Sequence, residues 1–286
     1  MLASLSLCAA LGFVPVAGTD SRPARLSKRP GNVRARVLVV EYHHVSAGKG
    51  ILYRSPAEFR RDLRTLYVLG FRPITARQYV TGKFSLPPGA SPVVMTFDDS
   101  NPSQFRYLPD GKVDPNCAVG IWHEFERKYP DFPLRGTFYV LPNRLFDQPG
   151  YERRKIAYLR SRGCEIGNHT SGHRSLGAIG RLAAMREIAG GIDALRRFGV
   201  TEPVTLAYPY GVPPRDASIL NGFTYAKRRY AIAGSFVAAA APAPSPHGKR
   251  FWPHRLPRVQ ACSVPWGLDF WMDRIRTGQT AIYTVP

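Results

Sequence analysis

Runs of β-branched and aromatic residues alternate along this chain with segments whose apolar positions recur every three or four residues, the pattern of strands separated by helices. Ser55-Pro56-Ala57-Glu58 reads as an N-cap, a proline at the first helical position and a capping-box glutamate. The helix it opens runs through Leu69, buries a stripe of Phe59, Leu63 and Leu66, and stops at Gly70. Further helices are predicted over residues 75–80, 116–128, 151–162 and 179–198, the last with a kink expected at Gly190-Gly191. Strands are predicted at 36–42, 92–97, 136–141, 163–168 and 204–208. The β-α alternation implies a mostly parallel sheet, and polar residues gathered where its strands end imply a barrel mouth. Residues 237–249, with their Ala and Pro runs, read as a long surface loop.

Two polar clusters sit at such strand ends. Thr96-Phe97-Asp98-Asp99 closes the apolar run from Pro92 and sets adjacent carboxylates at the mouth of a buried strand, which is costly unless something cationic lies between them. His169-Thr170-Ser171-Gly172-His173 follows a second strand and spaces two imidazoles so that both can reach one ion. Two histidines and one carboxylate leave a position open for water, the arrangement of a mononuclear metal hydrolase. Leu206-Ala207-Tyr208-Pro209-Tyr210-Gly211 stands at a third strand end.

Thr-Phe-Asp-Asp, His-Thr-x-x-His and an aromatic-Pro-Tyr-Gly segment, in that order, resemble the motif set of the polysaccharide deacetylases, the NodB-like carbohydrate esterase family 4, from about Val37 to Arg258. The resemblance implies a distorted (β/α) barrel with fewer than eight regular units. It implies that Asp98 is the catalytic base, that Asp99, His169 and His173 hold a divalent metal with Zn2+ as the default, and that the Tyr210 backbone N–H helps bind the oxyanion. Two departures follow. Many members carry an arginine in the third motif to orient the base, but Ala207 occupies the aligned position, so another group must hold Asp98. The late Leu-x-His motif that supplies the general acid is missing, with His247 and His254 lying in Pro-rich sequence. The run Val37-Leu38-Val39-Val40-Glu41-Tyr42-His43-His44 has the required form instead, as in circularly shifted members that act on poly-N-acetylglucosamine. His43 is assigned the acid role and His44 is the fallback, since neighbours on a strand face opposite sides.

At 286 residues the chain can bury one large core. Its net charge of +20 suits an anionic partner. Lys and Arg are spread along the chain with no nucleic-acid motif, so the charge is read as attraction to an anionic cell envelope, with no nucleic acid expected and no partner protein implied. Residues 2–16 are apolar and followed by Val16-Ala17-Gly18, which resembles a secretory signal without a positive start. Residues 19–34 read as a mobile leader, giving a leader over 1–34 and one catalytic domain over 35–286. The apolar stretch is short for a membrane span. Cys117 and Cys262 are the pair open to a disulfide in an exported protein, and Cys164 is read as packed. The long segment from Asp99 to Thr137 holds Phe105, Arg106, Tyr107 and Trp122, read either as lining a sugar groove or as packing the insertion onto the barrel.

The function expected is metal-dependent removal of N-acetyl groups from a polymer or oligomer of N-acetylglucosamine by an exported or envelope-associated enzyme. The alternatives are an O-acetyl polysaccharide (xylan) esterase and an envelope polysaccharide-binding protein with impaired catalysis.

Overall fold

In the computed structural model, which describes residues 26–201 and 203–286, seven parallel strands close into a barrel. They are β1 (Leu38–Tyr42), β3 (Ser91–Phe97), β4 (Thr137–Val140), β5 (Glu165–Asn168), β6 (Thr205–Ala207), β9 (Gly234–Ala239) and β10 (Leu256–Gln260). The circuit runs β1-β3-β4-β5-β6-β9-β10 and back to β1, every pair parallel. An eighth strand, β2 (Phe71–Ile74), flanks the first half of β3 on the side that β4 takes over at Thr96. Helices α1 (Pro56–Val68), α2 (Ala76–Thr81), α3 (Ala118–Lys128), α4 (Glu152–Ser161), α5 (Arg181–Arg197) and α6 (Leu268–Arg276) link or follow the strands. A small antiparallel hairpin of β7 (Phe223–Tyr225) and β8 (Arg228–Tyr230) stands apart from the barrel. The expected distorted barrel with fewer than eight regular units is therefore the fold.

Side-chain alternation along the strands divides the interior from the helix-facing layer. Leu38, Val40 and Tyr42 pack outward with Phe59, Leu63 and Leu66 of α1, while Val37 and Val39 pack inward with Val94, Tyr139, Phe236 and Leu256. By the same alternation Glu41 and Arg258 point inward, beyond the apolar floor and toward the ends of the strands. α1 begins as its sequence dictates: the Ser55 side chain accepts from the Glu58 N–H and the Glu58 carboxylate accepts from Ser55 N–H, a complete capping box.

Three expectations are corrected and one open alternative is decided. The stretch read as a mobile leader is tied down from Leu26 onward: Arg29 donates to the carbonyls of Gly70 and Gly89, and Asn32 pairs with Thr284. The start of the supposed surface loop, residues 237–239, belongs to β9, where β10 supplies the ladder on one side. α5 continues through Gly190 and Gly191. Those glycines serve close packing, since a Cβ at Gly191 would lie 2.0 Å from Asn168 Oδ1 and one at Gly190 2.9 Å from Ser171 Cβ. Finally, Cys117 and Cys262 are free thiols, as is Cys164. The signal-like residues 2–16 lie outside the described residues. Among the described residues no helix is long and apolar enough to cross a membrane.

Candidate metal centre at the barrel mouth

Asp98 and Asp99 follow β3 directly, and on a continuing strand they would point to opposite faces. Asp99 instead adopts a left-handed conformation (φ 72°), which turns its carboxylate back toward the histidine loop while Asp98 stays aimed into the barrel. Thr170 (φ 69°), His173 (φ 53°) and Tyr210 (φ 60°) share this uncommon backbone state. Such strain persists only where the surroundings hold it, and it gathers at functional sites.

The histidine loop is held from α5. The Glu187 carboxylate accepts from the Gly172 N–H at 2.7 Å and from the Ser171 hydroxyl at 3.2 Å, and its carbonyl accepts from the Ser171 N–H. Asn168 accepts from the Thr170 N–H at 2.8 Å. His169 Nδ1 lies 2.9 Å from the Ala207 carbonyl oxygen. A carbonyl only accepts, so Nδ1 carries the proton and Nε2 is left with a free lone pair, the state a metal ligand needs.

That lone pair, the His173 imidazole and Asp99 converge. Asp99 Oδ1 is 3.3 Å from His169 Nε2 and 3.2 Å from His173 Nε2, yet this buried oxygen has no hydrogen-bond partner. Three donors around a tetrahedral ion with bonds of about 2.0–2.1 Å stand roughly 3.3 Å apart. The spacing, the orphaned oxygen and the nitrogen and oxygen donor set therefore fit a divalent cation such as zinc. Burial would raise the Asp99 pKa, but the two imidazoles outweigh it and hold the carboxyl far below its ordinary value. His169 is shifted up, the carboxylates of Asp98 and Asp99 overcoming the effect of burial.

Asp98 is fully enclosed and sits 3.9 Å from His169 Nε2. Its partner is Arg258 on β10. Nη1 donates to Oδ1 at 2.7 Å and Nη2 to Oδ2 at 2.8 Å, a two-pronged pair. Burial alone would raise the Asp98 pKa, and the guanidinium more than compensates, leaving it below the ordinary carboxylate value. Arg258 also donates to Thr96 Oγ1 at 3.1 Å and lies 3.3 Å from Glu41 Oε1. The group that holds Asp98, with Ala207 in the third motif, is thus Arg258 on another strand. Arg258 is a site residue that the motifs in the sequence do not single out. The available signal was Leu256-x-Arg258, an arginine in phase with an apolar residue on a short strand.

His43 extends β1 into the same cluster. Its Nε2 is 3.7 Å from Glu41 Oε1, the Glu41, His43 and Asp98 groups all lie within 4.8 Å of one another, and its carbonyl is fixed by Asn101 and Gln104, each at 2.8 Å. Burial lowers the His43 pKa, while Asp98 and Asp99 pull the other way. Glu41 is pushed up to about 7, because burial outweighs the attraction of Arg258. His44 points differently, stacking on Tyr53 at 4.7 Å between centroids and bordering, with Asp99, Arg144 and His173, a cavity of about 360 Å³ over the ligands. The Tyr210 ring is exposed and rests against His173, centroids 4.9 Å apart.

The insertion after Asp99 does not present aromatics to a groove. Phe105, Tyr107 and Trp122 are buried against the barrel, and Arg106 is bound to Asp114. Six of the eight exposed large apolar side chains among the described residues, Ile51, Leu52, Tyr210, Val212, Val264 and Trp266, are on loops that follow β1, β6 and β10, around the mouth, while Leu182 is on α5 and Trp252 precedes β10.

The polysaccharide deacetylase family model matches residues 124–226, a stretch that contains both histidines and Tyr210. No curated protein matches the chain. Among solved structures, Streptococcus pyogenes deacetylase PplD in complex with acetate superposes with a TM-score of 0.60 at 16% identity, over 85% of this chain and 99% of that one. IcaB from Ammonifex degensii gives 0.59 at 20%, over 85% and 97%. A polysaccharide deacetylase from Bacillus cereus gives 0.60 at 19%, over 85% and 69%. Identities this low establish a common fold. By sequence over residues 124–226 and by fold over most of its length, the chain resembles the polysaccharide deacetylases.

Proposed function

We propose that this protein is a metal-dependent N-deacetylase that acts on polymers or oligomers of N-acetylglucosamine and works outside the cell or in its envelope. The observation that carries the reading is the unpartnered Asp99 Oδ1 between two imidazoles, beside a second carboxylate that Arg258 holds away from it. A binding module needs no such division between two adjacent aspartates.

Asp99, His169 and His173 would hold the cation. When bound, a divalent ion such as Zn2+ polarises the acetamide carbonyl and lowers the pKa of a water nearby. Asp98, kept ionised by Arg258, takes the proton from the attacking water at one of its carboxylate oxygens. The Tyr210 N–H donates to the oxygen on which charge develops. His43 delivers a proton to the departing nitrogen, a step that amide cleavage requires because an amine anion is a very poor leaving group. The apolar and aromatic rim, with Tyr210 and Trp266 exposed, suits the faces of sugar rings along a chain. The net charge of +20 favours residence against an anionic envelope.

The test is acetate release from N-acetylglucosamine oligomers by zinc-loaded protein, with chelated protein and O-acetylated xylan in parallel. Zinc-dependent release from the amino sugar supports the proposal. Release from xylan alone assigns an esterase, and no release from either substrate by loaded protein removes the enzymatic reading.

A further inference from the structure

A second concavity lies at the opposite end of the barrel. Since the strands are parallel, all of them start at that end. Arg34 and Arg36 precede β1, and Arg255 immediately precedes β10. With His247, Lys249 and Arg250 they line a cavity of about 570 Å³, larger than the one over the candidate ligands. No carboxylate is among the lining residues. Several arginines elsewhere pair with acids, as Arg54 does with Asp62, Arg162 with Glu126 and Arg181 with Asp216. The five Arg and Lys of this pocket have no acidic partner among the described residues.

Like charges gathered in a concavity repel one another, so they stay together only where the backbone fixes them. Here it does. Val37 and Ala243 exchange backbone hydrogen bonds of 2.9 and 2.8 Å, the Tyr79 hydroxyl donates to the Pro244 carbonyl at 2.6 Å, and the Ser245 hydroxyl donates to the Val33 carbonyl at 2.5 Å. Arg36 is oriented by the Pro242 carbonyl at 3.0 Å and keeps donors to spare.

We propose that this pocket binds adjacent phosphate groups of a phosphodiester-linked polyol or sugar chain. Arginine forks match phosphate oxygens two at a time, and several in one cavity suit a ligand with repeated charge. The surface is concave and its lining offers no large apolar side chain to insert into a bilayer. The lining itself contains no Phe, Tyr or Trp on which a nucleic-acid base could stack, the nearest exposed aromatic in the chain being Trp252, two positions beyond Arg250. The inference stands apart from the deacetylase reading, since none of these residues reaches the mouth.

Calorimetric titration of the full chain with inorganic tripolyphosphate and with a soluble glycerol-phosphate polymer tests it. Two triple variants are compared with the parent: Lys249→Gln, Arg250→Gln and Arg255→Gln in the pocket, and Arg160→Gln, Arg186→Gln and Arg229→Gln, equally exposed and away from it. The expected result is saturable binding of both probes, weakened tenfold or more by the pocket set and less than twofold by the other, with zinc content unchanged in all three. Equal weakening by both sets would reduce the effect to overall charge and overturn the proposal. So would binding indifferent to the pocket set, or binding confined to a polyribonucleotide or to anionic phospholipid vesicles.

Discussion

Arg258 and Asp98 are 160 positions apart in the chain and meet inside the barrel with the two terminal guanidinium nitrogens on the two carboxylate oxygens, at 2.7 and 2.8 Å. The pair is sealed from solvent, so its worth lies in geometry and ionisation more than in net stability. Lysine keeps the charge but cannot span two oxygens. Arg258→Lys is expected to remain folded and zinc-bound while kcat falls about 10–100-fold, read by acetate release. Arg258→Met leaves the Asp98 and Glu41 carboxylates buried without a cation and should cost about 3–5 kcal/mol in urea unfolding.

If His43 protonates the leaving nitrogen, its removal should matter in proportion to how badly the leaving group needs a proton. His43→Gln is expected to lower kcat on the N-acetylated sugar by about 10²–10⁴-fold while sparing hydrolysis of an activated aryl acetate. Equal losses on both substrates would give His43 a structural role.

Glu41 carries a pH signature. Its pKa in the fold rises to about 7, chiefly through burial, so folding favours the protonated carboxyl. That contribution is present below the unfolded-state value and is lost as pH rises through about 7. For chelated protein, the stability of the parent relative to Glu41→Gln should fall between pH 5 and 8, by on the order of 1–3 kcal/mol. A difference that stays flat across that range would contradict the assignment.

The fit of α5 against the histidine loop is equally open to test. At Gly191 an added Cβ meets Asn168 Oδ1 at 2.0 Å, the atom that accepts from the Thr170 N–H. Gly191→Ala should cost about 1–3 kcal/mol and weaken zinc binding, because the strain is relieved through the loop that carries His169. Gly180→Ala, where a Cβ meets nothing within 4 Å, is the control.

The elements legible in the sequence were those with local signals. Ser55 and Glu58 wrote the start of α1, Gly163 the end of α4, and the run into Asp98 the strand that bears it. β9 and β10 were not legible as strands, because Ala-rich and Pro-containing segments become strands only when neighbours on both sides supply the ladder. Arg258 was missed with them. Its role comes from contacts with Asp98 and Glu41, residues remote in the chain, and no local pattern encodes a pairing across the barrel. The glycine pair in α5 misled for the same reason: what it accommodates, the Asn168 and Ser171 side chains, lies on another segment.

The proposed chemistry turns on a division of labour between adjacent carboxylates, Asp99 for the metal and Asp98 for the proton. Zinc stoichiometry and acetate release from an N-acetylglucosamine oligomer, measured together on Asp98→Asn, test it most directly. Asp98→Asn is expected to hold one zinc per chain as the parent protein does, with turnover reduced by about 10²-fold or more. Zinc lost together with turnover, or turnover kept in full, would contradict it.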